Sequence, residues 1–129
     1  MSEPGEVTCV HPSERRPADP TPGKTREQAI AVDGLWSGLV RTEPGVASGW
    51  HHHGDHDTSV YVVEGNVRIE FGPGGAQALD AGPGDFIHIP QQLVHREVNA
   101  GSSTSQEIIT RSGTGPLTVN VDGPTPPSG

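Results

Sequence analysis

The residues best able to do chemistry are crowded between His51 and Asp57, where His51, His52, His53 and His56 alternate with Asp55 and Asp57. Six of the seven histidines fall in two stretches, 45–65 and 84–99, with His88 and His95 in the second. Neither a packed core nor a solvated loop needs that density of imidazole. Neutral imidazole is a ligand for zinc, iron, nickel, copper, cobalt and manganese, so the first reading is a metal site. On a strand, residues two apart share a face. His51 and His53 can therefore address one ion while His52 points away, and His95 can complete a three-histidine set from a second strand.

The elements that must position these residues read as short strands. Leu35–Val40, Thr58–Val63, Asn66–Phe71, Phe86–Ile89, His95–Val98, Gln106–Thr110 and Leu117–Val121 are β-branched or alternate apolar with polar. Turn signals separate them, including Gly72-Pro73-Gly74-Gly75, Ala81-Gly82-Pro83-Gly84 and Ser112-Gly113-Thr114-Gly115. Even spacing with such turns predicts an all-β sandwich or barrel. Val63-Glu64-Gly65-Asn66 reads as a tight hairpin, and Lys24–Ala31 fits a short helix or a strand equally well. Residues 1–25 are polar and proline-rich and are expected to form an extended, flexible N-terminal arm. Residues 26–121 form the folded domain, and 122–129 a second short tail.

Composition narrows the partners. The 129 residues carry a net charge of −8 and a pI near 5.2, which argues against nucleic acid and against an anionic membrane surface. No apolar run approaches the ~20 residues of a membrane span, and no signal peptide is visible. Cys9 is the only cysteine, so no internal disulfide forms. The expected setting is cytoplasmic. There is no phosphate-binding glycine loop and no nucleophile elbow.

Two motifs carry a resemblance. The first, G-x5-H-x-H-x(3,4)-E-x6-G, is met by Gly45, His51, His53 and Gly65, with Thr58 where glutamate is expected. The second, G-x5-P-x-G-x2-H-x3-N, is met by Gly84, Pro90, His95 and Asn99, with Gln92 where glycine is expected. With eight of ten positions matched and the spacing intact, the chain resembles the small single-domain cupins. That resemblance implies a jelly-roll barrel, the cupin double-stranded β-helix, with one divalent metal ion per chain held by His51, His53 and His95. It also implies a homodimer, which would cover exposed sheet edges.

Thr58 departs from the pattern at the position that is usually the fourth ligand. A plain three-histidine site ranks first, substitution by His56 second and by Asp57 third. Asp55 fits a role orienting an imidazole. His88, Tyr61 and Trp50 read as packing residues, and Gln92 as a turn residue. Arg96 and Arg111 can anchor an acidic ligand, although exposed arginines are commoner. His56, Asp57 and Glu97 are the candidate general bases. Three neutral ligands leave the full charge on the ion, and the resemblance then points toward a dioxygenase acting on a small organic molecule, with iron the preferred metal. A non-redox isomerase or lyase, and a non-catalytic module that binds a small ligand, are the alternatives.

Overall fold

The computed structural model describes residues 5–19 and 21–127. Eleven strands follow in chain order: β1 (Arg16–Pro17), β2 (Lys24–Val32), β3 (Leu35–Thr42), β4 (His51–His52), β5 (Thr58–Glu64), β6 (Val67–Phe71), β7 (Gln77–Ala81), β8 (Phe86–Ile89), β9 (His95–Val98), β10 (Ser105–Ser112) and β11 (Val119–Asn120). One sheet has the order β1-β2-β3-β10-β5-β8, the other β11-β4-β9-β6-β7. Every pairing is antiparallel. The two sheets enclose one interior, as in a jelly-roll barrel. The helical segments among the described residues are two single turns, Pro12–Glu14 and Pro73–Gly75. Among the described residues, no helix is long and apolar enough to cross a membrane.

The period-two burial of the strands follows from their sequence. β10 buries Ser105, Glu107, Ile109 and Arg111 and turns Gln106, Ile108 and Thr110 outward. β5 likewise buries Thr58, Val60 and Val62. Val60, Val62, Val67, Ile69, Ile87, Ile89 and Ile109 pack with Val40 and Trp36 into the hydrophobic core. Branched side chains suit this interior because they lose little rotamer freedom on a pleated surface.

Two expectations need correction, and one left open is settled. Val63-Glu64-Gly65-Asn66 is not a hairpin: β5 pairs with β10 and β8, whereas β6 pairs with β7 and β9, so the turn carries the chain from one sheet to the other. Gly65 makes that corner with φ +79°, and a Cβ there would lie 2.7 Å from the Ser105 Cα. Sequence shows the turn but not which strands it separates.

Lys24–Ala31 is strand, paired along β3. The boundary of the arm moves with it. Arg16–Pro17 pairs with Gln28 and Glu27, and Lys24, assigned to the arm for its proline-rich company, is only 3% exposed. Of the arm and tail, residues 1–4, 20, 128 and 129 lie outside the described residues. The tail also touches the barrel, since Gly74 N–H donates to the Thr125 carbonyl at 2.6 Å.

Candidate metal centre

His51 ends one turn and begins β4, directly opposite His95 at the start of β9. His53 lies just past β4, yet the alternation continues: His51 and His53 are buried and His52 half-buried. The three rings of His51, His53 and His95 lie with centroids 4.4 to 5.0 Å apart. One nitrogen from each falls within 4.8 Å of the others.

The backbone sets the tautomer of each ring. His51 Nδ1 lies 2.8 Å from the Gly49 carbonyl, His53 Nδ1 2.8 Å from that of Leu117, and His95 Nδ1 2.9 Å from that of Leu93. A carbonyl only accepts, so Nδ1 carries the proton and Nε2 keeps its lone pair. Nε2 of His53 and of His95 is buried with no hydrogen-bond partner. A buried acceptor left unpaired costs about 1–3 kcal/mol.

Protonation is not an easy remedy. Burial, then the proximity of His95, lowers His51 to about 4. Burial, then Arg111, lowers His53 to about 3. Burial lowers His95 as well. Three neutral imidazoles with converging lone pairs fit a divalent cation, which removes the unpaired acceptors and completes the usual pattern of a ligand held by its second ring nitrogen.

The other candidates lie elsewhere. His56 is buried, but its Nδ1 and Nε2 face the carbonyls of Ser112, at the end of β10, and Gly115, in the loop after it, at 2.6 and 3.2 Å. Asp57 accepts from His88 Nε2 at 2.9 Å and Gln91 Nε2 at 3.0 Å on the outside of the barrel, and these contacts hold its carboxyl below the usual range. Neither belongs to the ligand cluster, so the substitutions considered for the missing glutamate do not match this geometry. The period-two face of His51 and His53 ends before His56, because the chain turns between them, with His56 N–H donating to the His53 carbonyl. Asp55 accepts from Gln92 rather than from an imidazole. His88 is held by Asp57 on the surface. Trp50 stacks under Arg96, which is bound to Glu70.

Glu97 does share the inner face with His95, but its carboxylate is bound to Lys24 Nζ at 2.7 Å. Burial opposes its ionisation, yet the charge and hydrogen bond of Lys24 outweigh that and hold it well below the carboxylate range. It is therefore a poor general base. A cavity of about 100 Å³ opens beside the histidines, lined among others by Lys24, Arg26, His51, His53, Glu97 and Arg111.

Lys24 is the site neighbour that sequence reasoning missed, and Arg111, named as a possible anchor for an acidic ligand, is more buried than expected. Arg111 was expected on the surface, but it is 9% exposed. The available signal was alternation: with Ile109 inward on β10, Glu107 and Arg111 must point inward too.

The cupin-domain family model matches residues 38–110, more than half of the chain. The chain belongs to the cupin family. Among solved structures, this cupin is similar to KdgF from Halomonas sp., with a TM-score of 0.71 at 24% identity over 84% of this chain and 96% of that one. It is similar to the polyketide cyclase RemF from Streptomyces resistomycificus, with a TM-score of 0.74 at 22% identity over 91% and 87%. Oxalate decarboxylase from Bacillus subtilis gives 0.72 at 21% identity, over 84% of this cupin and 30% of the longer chain. At these identities the likeness is one of fold. Among curated proteins, none matches the sequence.

Proposed function

We propose that this cupin is a metal-dependent enzyme acting on a small organic substrate, with one divalent ion on His51, His53 and His95. The observation that carries the reading is the pair of buried, unpartnered Nε2 atoms on His53 and His95, beside a third ring in the same tautomer. Bound there, the ion supplies Lewis-acid chemistry and, if it is iron, redox chemistry toward dioxygen.

The chain's own residues favour a reaction that leans on the metal and not on a protein base. Of the groups lining the cavity, Glu97 is tied to Lys24, and Arg26 is held by the Asp19 carbonyl and Thr21 Oγ1. His56 and Asp57 lie outside it. No protein carboxylate joins the ligand cluster among the described residues. A dioxygenase, whose ion would be held by the three neutral ligands His51, His53 and His95 and would supply redox chemistry toward a small organic substrate, fits this arrangement best. A non-redox lyase or isomerase is the second reading, supported by the structural likeness to a polyketide cyclase and to oxalate decarboxylase.

Exposed apolar residues on the larger sheet, Val32 opposite Leu35 and Ile108 and Phe86 on either side of Tyr61, support a homodimer, which sedimentation reads directly.

The test is metal content by plasma mass spectrometry on anaerobically purified protein. The comparison is a folded variant carrying His51→Ala, His53→Ala and His95→Ala. About one equivalent of iron, lost in the variant, with substrate-dependent dioxygen uptake, is the expected result. Zinc or nickel with no uptake transfers the reading to non-redox chemistry. No metal, and none taken up on titration, refutes it.

A further inference from the structure

The inward face of the barrel holds an arginine that no carboxylate among the described residues pairs with. Arg111 is buried, its Nε has no hydrogen-bond partner, and the ion pairs among the described residues do not include it. Its guanidinium lies 5.2 Å from the centre of the Trp36 ring. Stacking satisfies the face of the ion and leaves the buried Nε–H without an acceptor. Of the other cations of the cavity, Lys24 is paired with Glu97, and Arg26 gives Nη1 to the Asp19 carbonyl and Thr21 Oγ1. With Lys24 and Glu97 cancelling and the histidines neutral, the cavity is positive in a chain whose net charge is −8.

The position opposite Arg111 explains the deficit. In the pairing of β5 with β10, Arg111 faces Thr58, and both side chains point inward. Side chains so paired have their Cβ atoms about 5 Å apart. Thr58 is the residue that stands where the cupin motif has glutamate, and its Oγ1 is also buried and unpartnered. The motif's carboxylate would have faced this arginine. Thr58 offers neither a carboxylate to the histidines nor an anion to Arg111.

We propose that the substrate of this site carries a carboxylate that takes the place of the missing glutamate, bound by Arg111 and directed toward the three histidines. The proposal rests on the metal reading above and narrows its substrate to a small organic acid. The cavity of about 100 Å³ admits a compact one. Arg111 suits the task because its planar fork matches a carboxylate in a way an ammonium does not.

The probe is pyruvate, with methyl pyruvate as the uncharged control. Binding is read by calorimetry and by tryptophan fluorescence in a Trp50→Phe background, where Trp36 beside Arg111 is the sole reporter. Metal uptake is measured first in each sample. Metal-loaded protein should bind pyruvate and not methyl pyruvate. Arg111→Met should keep its metal and weaken pyruvate by about tenfold or more, as expected for loss of a charge-assisted bond. Arg111→Lys, which keeps the charge, should fall between. Thr58→Glu should also keep its metal and lose pyruvate, because the protein then supplies the carboxylate.

A wild-type protein that takes up no metal overturns the metal reading and this proposal with it. Full metal uptake with no pyruvate binding, equal binding of the methyl ester, or unimpaired binding by either the Arg111→Met or the Thr58→Glu variant overturns this proposal alone.

Discussion

Glu107 provides a quantitative test of how the interior is organised. It lies on the inward face of β10, flanked across the sheet by Val40 and Val62, and is 2% exposed. Its Oε2 is buried without a partner. Burial, then the negative charge of Glu97, raises its pKa from 4.5 to about 8, against the pull of Lys24, Arg111 and Arg26. The folded chain therefore keeps a proton that the unfolded chain gives up. Stability from this group is complete below pH 4.5 and is lost as pH rises toward 8, at about 1.4 kcal/mol per pH unit.

At pH 7 the loss amounts to about 3 kcal/mol. Glu107→Gln has nearly the same shape and does not titrate. Relative to wild type, the variant should gain about 3 kcal/mol between pH 4.5 and pH 7, with the gain levelling off above pH 8. Urea unfolding of metal-free protein, followed by circular dichroism across that range, measures the difference. Titrations common to both chains, including those of the histidines, cancel. A difference that does not change with pH would show that Glu107 is ionised in the fold, and the reasoning would fail.

Two further outcomes follow from buried or strained residues. Lys24→Met leaves the Glu97 carboxylate buried without its partner and should cost about 3–5 kcal/mol. Adding Glu97→Leu should restore most of that loss in the same unfolding assay, and a double variant no better than the single would contradict the pairing. Gln92 holds φ +59° where the motif has glycine, and its amide donates to Asp55 at 2.8 Å. Gln92→Gly and Gln92→Ala both lose that bond, but only alanine keeps the left-handed strain. Gln92→Gly should therefore be the more stable by about 1 kcal/mol, read from urea midpoints.

Much of the site was legible in the linear sequence because its ligands obey local rules. The two-residue spacing of His51 and His53 puts both on one face of an extended chain, and the resemblance to the second cupin motif at Gly84, Pro90, His95 and Asn99 marks the third histidine. Strand positions were legible for the same reason. The alternation in Asn66–Phe71 and Gln106–Thr110 is local, and so are the glycine and proline turns between strands.

What tertiary structure decided is which strands face each other, and what each inward side chain meets there. Nothing near Gly65 shows that the chain crosses between sheets, since that depends on β10 lying beside β5. Nothing near Lys24 shows that its partner is Glu97, far along the chain on the opposite sheet. Alternation along β10 turns Arg111 inward, but only the register with Thr58 and Trp36 shows what it meets there. The histidine motif specifies that an ion can be held. Whether a fourth ligand joins it, which charges line the cavity and which of them lacks a partner depend on contacts between residues distant in the chain. Those contacts form only when the two sheets close.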